Sequence, residues 1–308
     1  MRLYFMNRVE LLSLATCNPF DAVTENVITI IKKELPQGIK VPYFDYDSDF
    51  RNFVRLEDLD KSYCKTNKFN EMIFSLRAEV IPILQKMYKE GKPLGDLSES
   101  KRGAEVSKNF LRENHNGLET LIGQDMRKYS IQWDSTYLPK SHKEYRRLHK
   151  FFDSDVIYLR RVDSMLEAAI SPGMHYGYNK NVYGIKKRST CNYGIRYILA
   201  CINSKVVDFY YKTKFSTKKT DAFPEIQTYL YEQLPIPTVS GNVQRRIESL
   251  VDEILDANKN GRSSTELEQE IDRLVYHLYG LTYDEVLIID PAPPFTRDEY
   301  ENETIDNI

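Results

Sequence analysis

Cysteine is scarce in this chain and is never clustered. Cys17, Cys64, Cys191 and Cys201 are spread over 308 residues with no Cys-x-x-Cys pair. That distribution argues against a zinc site or a disulfide framework and fits reduced thiols in an intracellular protein. Long apolar runs are missing too. Nothing approaches the ~18 residues that span a bilayer, and Asn7, Arg8 and Glu10 interrupt the N-terminal apolar stretch, which therefore reads poorly as a signal peptide. No glycine-rich cofactor loop follows a strand, and the Gly-x-Ser-x-Gly and His-Glu-x-x-His patterns do not occur. His115, His142, His149 and His175 have no partner at metal-ligand spacing. There is no internal repeat.

Hydrophobic residues make up 41%, enough for a sizeable core. Net charge is only −2, but it is unevenly placed. Residues 101–220 hold 23 Lys and Arg against 11 Asp and Glu, while the remainder holds 20 against 34. A basic middle with acidic flanks fits a polyanion-binding face on a soluble particle. An ordinary solvated surface is the alternative.

The hydrophobic pattern predicts strands at "VELLSLA" and "NVITIIKK" on either side of an Asn-Pro turn. It predicts a helix from about Ser75 to Gly91, kinked at Pro82. A turn-rich loop, "PLGDLSESKRGAEVSKN", follows, and then a short basic helix at "KSHKEYRRLHKFF". Short runs between turns, "DVIYLRRVD", "MLEAAIS", "MHYGY" and "NVYGIKK", predict a β-meander or small barrel. The stripe Ile195, Ile198, Leu199, Ile202, Val206, Phe209 and Tyr210 predicts one continuous helix, followed by a mobile polar loop at "TKFSTKKTDAFPE". After "LPIP", two amphipathic stretches split by "NKNGRSS" predict a helical hairpin, with a third short helix capped by Thr282. The acidic, proline-rich end predicts fraying.

Two motifs invite chemistry and support little of it. "CNPF", Cys17–Phe20, is one proline short of the Asn-Pro-Pro-aromatic loop of base-flipping methyltransferases and reads as a turn. "DYDSD", Asp45–Asp49, lacks the Glu-x-Lys strand of a metal-dependent nuclease and reads as a solvated loop. Binding chemistry remains. Aromatics alternate with cations in "RKYSIQW", "YRRLHKFF", "YLRR", "HYGYNKNVYGIKKR" and "FYYKTKF", a mixture suited to phosphates and base edges.

Five of these segments resemble, in order, the C-terminal target-recognition region of TaqI-like adenine-N6 DNA methyltransferases and type IIG restriction–modification enzymes. The specificity subunits of type I restriction systems are more distant relatives. The segments are "LGDLSESKRGAEVSK", "IGQDMRKYSI", "DVIYLRRVD", "YILACINSKVVDFYYK" and "LPIP" before a long helix. The ending "LVYHLYGLTYDEVLII" is similar as well. The resemblance implies an α+β fold, with a mixed or antiparallel recognition sheet, packed helices and a C-terminal helical hairpin. It implies that residues 1–35 are the last strands of a methyltransferase domain and 36–236 the DNA target-recognition domain. The hairpin is then 237–290 and an acidic flexible tail 291–308.

The implied function is sequence-specific recognition of double-stranded DNA beside a methyltransferase or nuclease catalytic domain or subunit, in the prokaryotic cytoplasm and not at a membrane. Catalytic, cofactor and metal residues are absent from the chain. S-adenosylmethionine, with magnesium as a second candidate, is implied only for the intact system. Charge and motif position nominate Lys101, Arg102, Lys108, Lys186, Lys187, Arg188, Lys214, Lys218 and Lys219 as phosphate contacts. They nominate Arg160, Arg161, Tyr176 and Asn179 as base or groove readers, with Arg160 equally open to a structural ion pair. The rivals are a protein–protein scaffold built on the helical hairpin, with no DNA role, and an enzyme with an unrecognised nuclease site.

Overall fold

The computed structural model describes residues 78–161, 165–215 and 228–303, together with the backbone of six strands within residues 9–60. The chain falls into two compact units, Met1–Tyr88 and Lys89–Ile308.

In the first unit the strands are β1 (Val9–Ala15), β2 (Asn26–Ile31), β3 (Lys40–Val41), β4 (Tyr43–Tyr46), β5 (Phe53–Arg55) and β6 (Leu59–Asp60). One sheet has the order β2-β1-β4-β5, with β1 antiparallel to β2 and parallel to β4, while β3 pairs with β6 separately. The two strands read from "VELLSLA" and "NVITIIKK" are present. The sheet continues past residue 35, and the compact unit ends at Tyr88. Asp45 of the acidic run lies in β4 and not in a loop. "CNPF" and Asp47–Asp49 lie outside the described residues.

A 3₁₀ turn at Ala78–Val80 leads into α1 (Ile81–Glu90). Pro82 therefore sits in the first helical turn, where its missing N–H is not needed, and does not kink the helix.

The second unit continues with β7 (Gly91–Pro93), α2 (Leu94–Leu97), β8 (Ser98–Arg102), α3 (Lys108–Glu113) and β9 (Leu118–Leu121). Next come β10 (Met126–Arg127), β11 (Ser130–Ile131), β12 (Tyr137–Leu138), α4 (Lys143–Phe152) and β13 (Ile157–Arg160). Then follow β14 (Ala168–Ala169), β15 (Gly177–Tyr178), β16 (Val182–Lys187), α5 (Ile195–Asn203) and α6 (Lys205–Phe215). The chain then forms α7 (Thr228–Tyr231), β17 (Pro235–Pro237), α8 (Gly241–Lys259), α9 (Thr265–Leu278), α10 (Tyr283–Ile289) and α11 (Arg297–Asn302).

The principal sheet is antiparallel, in the order β14-β13-β16-β8. A smaller sheet, β12-β9-β15, is mixed. This is the α+β class that the sequence implied. Leu148, Phe151 and Phe152 of α4 join Tyr158, Tyr178 and Val182 in one core.

Four segments depart from their pattern. The "LGDLSESKR" loop is really α2 and β8. Its inward side chains are serines, so it has no apolar alternation; Ser98 Oγ donates to the Leu94 carbonyl and Ser100 Oγ to Glu232. The long helix is two, broken at Ser204, whose backbone is extended. Asn203 competes for hydrogen bonds there, since its amide both donates to the Ala168 carbonyl and accepts from the Ala168 N–H, which caps the β14 edge. The acidic end is anchored where it is described: Tyr300 in α11 is buried, its hydroxyl donates to the Leu281 carbonyl, and its ring stacks on His277. Lastly, "LPIP" is a buried strand. β17 pairs with β7, and its carbonyls accept from Tyr197 Oη (at Pro237) and Tyr279 Oη (at Pro235). Proline tolerates this because the ladder has only two strands and needs few of the donors that proline lacks.

The helical hairpin forms as its periodicity predicts. Val243, Ile247, Leu250, Val251 and Ile254 of α8 are buried, as are Ile271, Leu274, Val275 and Leu278 of α9. Gly261, at φ +66, takes the left-handed conformation that ends α8. A polar network ties this layer to the sheets. The Lys205 N–H donates to Asp272 at 2.8 Å and Lys205 Nζ reaches Asp290 at 2.6 Å. Lys128 Nζ donates to the Asn203 carbonyl at 2.7 Å. Burial pushes the Asp272 carboxyl up to about 6 despite the Lys205 hydrogen bond. Tyr129, in the turn between β10 and β11, takes φ +55 and is 3% exposed.

Candidate nucleic-acid interface

α4 is built to show one basic face. Its apolar positions Leu148, Phe151 and Phe152 are buried, which turns Lys143, Arg146, Arg147 and Lys150 outward. The helix packs on the β8–β16 side of the sheet: Lys101 Nζ stands 5.5 Å from the Phe151 ring centroid, and Lys186 Nζ lies 3.5 Å from the Lys150 carbonyl. Register explains their proximity, because Lys101 pairs with Gly184 and Glu99 with Lys186, so all four positions share a face.

The next loop closes on the same place. Gly103 passes so close to the Tyr178 and Asn179 carbonyls that a Cβ would collide with both. This close approach accounts for the glycine after Arg102. Arg102 Nε donates to the Lys180 carbonyl at 3.2 Å, and Arg147 Nη2 donates to the Gly103 carbonyl at 3.1 Å. Glu105 lies 3.3 Å from Arg102 and 3.5 Å from Lys180. Burial opposes ionisation of Glu144, but hydrogen bonds from Arg147 and from the Glu105 N–H outweigh it and hold the carboxyl below its ordinary range. Glu144 is thus a bracket for Arg147 and the 102–105 loop. Among the described residues, the side chains of Arg146 and Lys150 make no hydrogen bond or ion pair.

The nominated residues divide into three groups. Lys101 and Lys186 share this face, whereas Arg102, next to Lys101 in β8 and paired with Tyr183, starts from the other face and reaches the Lys180 carbonyl at its edge. Lys108 lies apart from α4, bonded to the exposed Gln124. Lys187 donates to the Cys191 carbonyl, and Arg188 pairs with Glu99.

In the second group the side chains of Arg160, Tyr176, Asn179 and Lys214 have partners within the fold. Arg160 is ion-paired with Glu167 at 2.7 Å, both largely buried. The Arg161 N–H donates to the Asn181 carbonyl. Tyr176 is 8% exposed and packs edge-on against Tyr158. Asn179 is 2% exposed, its Oδ1 accepting from the Asn181 N–H to shape the turn before β16. Lys214 is 7% exposed and donates to Tyr210 Oη and Gln233. Burial takes Tyr176, Asn179 and Lys214 out of reach of a groove. The third group, Lys218 and Lys219, lies outside the described residues.

The sequence marks this segment as a basic helix, but none of its cations was nominated individually, although the apolar residues fall on one side of it. No curated protein matches the chain. Residues 118–236 match the TaqI-like C-terminal specificity domain. The matched segment contains α4, Lys180 and Lys186, with Lys101 and Arg102 ahead of it.

Three solved structures show partial similarity to the chain. The HsdS subunit from Thermoanaerobacter tengcongensis is 12% identical, at a TM-score of 0.37 over 65% of this chain and 50% of that one. The type IIL restriction-modification enzyme MmeI in complex with DNA is 10% identical, at 0.48 over 96% and 46%. A type I restriction-modification S subunit from M. genitalium is 14% identical, at 0.35 over 70% and 52%. The chain spans about half the length of these structures. Among its described residues, no helix is long and apolar enough to cross a membrane.

Proposed function

We propose that the chain is the DNA target-recognition module of a restriction–modification system, and that it holds a duplex across the α4 face. One observation carries this: the contiguous basic face coincides with the segment that matches a specificity domain. Exposed cations in a row neutralise phosphates and set orientation, while sequence is read by side chains beside them. The catalytic partner is a methyltransferase or nuclease domain or subunit. S-adenosylmethionine belongs to that partner, because neither a glycine-rich cofactor loop nor an Asn-Pro-Pro-aromatic loop occurs in this sequence.

Binding of the full chain to random duplexes at several salt concentrations tests the proposal. Affinity falls steeply with salt if α4 and its neighbours displace counterions, and repeated enrichment yields one short motif. Salt-independent binding with no motif leaves the protein–protein scaffold instead.

A further inference from the structure

The DNA face has a floor as well as a wall of cations, and the floor carries two exposed amides. Asn181 lies in the turn between β15 and β16. Its N–H donates to Asn179 Oδ1 at 3.0 Å and its carbonyl accepts from the Arg161 N–H at 2.9 Å, so its backbone is fixed on both sides. Its side chain is exposed and makes no hydrogen bond among the described residues. The turn does not require an asparagine there: among the described residues, the non-glycine residues with positive φ are Tyr129 and Ser135.

Gln124 follows Gly123, and Gly123 adjoins Asn181. A Cβ on Gly123 would lie 3.4 Å from the Asn181 Cβ, in ordinary contact. Gln124 sits in a 3₁₀ turn whose geometry is held by Asp125, which accepts from the Ile122 N–H at 2.9 Å. Gln124 Oε1 accepts from Lys108 Nζ, leaving its amide NH₂ without a bond. Lys180 and Arg102 border Asn181, and Lys108 borders Gln124.

A base-reading group needs a donor and an acceptor side by side, a fixed backbone, and neighbouring cations to seat the phosphates. We propose that Asn181 is a sequence-determining residue that pairs through its amide with an adenine edge, with Gln124 lining the same floor. The proposal rests on the DNA-recognition reading above. It also moves the reading role from Asn179, which builds the turn, to the residue that the turn presents.

The test is duplex enrichment and competition binding with the full chain, comparing the wild type with Asn181→Ala and Lys150→Ala. Asn181→Ala should lose at least about fivefold of its preference for adenine at one position, with an unchanged salt slope and an unchanged melting curve. Lys150→Ala should weaken every duplex alike and flatten the salt slope while keeping the motif. If Asn181→Ala keeps the wild-type motif, the assignment falls while DNA recognition stands. If wild type enriches no motif and shows no salt dependence, both fall. Should Asn181→Ala melt early, Asn181→Asp decides: it keeps the shape and a hydrogen-bonding side chain but removes the donor, and an unaltered adenine preference in it overturns the assignment.

Discussion

In the helical layer, Asp272, Lys205, Asp290 and Lys128 are each bonded to one another or to the backbone, and Asp272 is buried. On the α4 face, Arg146 and Lys150 point into solvent with no such bond. The same residue types therefore do two jobs. Buried charges fix how the helices meet the sheets, since an unpaired one would cost several kcal/mol, on the order of 3–5 for a broken buried pair. Exposed ones contribute little to stability, about 0–1 kcal/mol per pair, and remain available to a polyanion. Counting Lys and Arg along the sequence merges the two populations, which is why Arg160 and Lys214 were nominated beside Lys101.

Variants that strike one side and spare the other should separate them. The largest effect is expected at Tyr129. Tyr129→Ala removes a fully packed ring and should cost about 3–5 kcal/mol by chemical denaturation, without changing the salt slope of the folded fraction. Arg160→Ala leaves Glu167, in a partly exposed pair, without its partner and should cost about 1–3 kcal/mol, again with the motif and salt slope retained; a change in salt slope would return Arg160 to the interface.

Acidity probes the helical layer more finely. Burial, with Arg273 nearby, lowers the His277 imidazole to about 4. On acidification the unfolded chain takes that proton first, so stability is lost as pH falls from about 6.5 to about 4. Asp272, raised to about 6, has the opposite sign. There the native state takes the proton first, and stability is gained as pH falls from about 6 towards 4. The two slopes oppose in wild type. Asp272→Asn should expose the His277 term as a loss on the order of 2 kcal/mol between pH 6.5 and 4, measured by urea melts across that range. The smallest stability effect is expected on the α4 face: Lys101→Ala should stay within about 0.5 kcal/mol of wild type and, if that face binds DNA, reduce the salt slope by about 1.

Much of the architecture was legible because it follows periodicity. α4, α8, α9 and the strands β13 and β16 bury the residues that their spacing singles out. What was illegible depended on distant backbone. β8 carries no apolar alternation because its inward positions are serines satisfied by Leu94 and Glu232. The break at Ser204 depends on Asn203 finding Ala168, and the fixed tail depends on Tyr300 reaching Leu281. The site shows the same division. Charge and motif order nominated Lys101, Arg102 and Lys186, and the structure leaves them exposed or half-exposed. Tyr176 and Asn179 were nominated as well and are buried, because nothing in their local sequence tells a buried polar residue from an exposed one. The Asn-Lys-Asn turn did hold a usable sign, since an asparagine two residues before another commonly bonds its N–H and leaves the second side chain outward.

The pairing of β7 with β17 also bears on the order of folding. It joins segments so far apart that Ser100 and Glu232, which bond across the same region, are separated by 132 positions. The hairpin of α8 and α9 closes over Asn260–Ser264 alone. Loop-closure entropy and topology favour the short connection first. The joint should therefore zip late, after the sheets and the hairpin exist, with Tyr197 and Tyr279 as the clasp that registers completion.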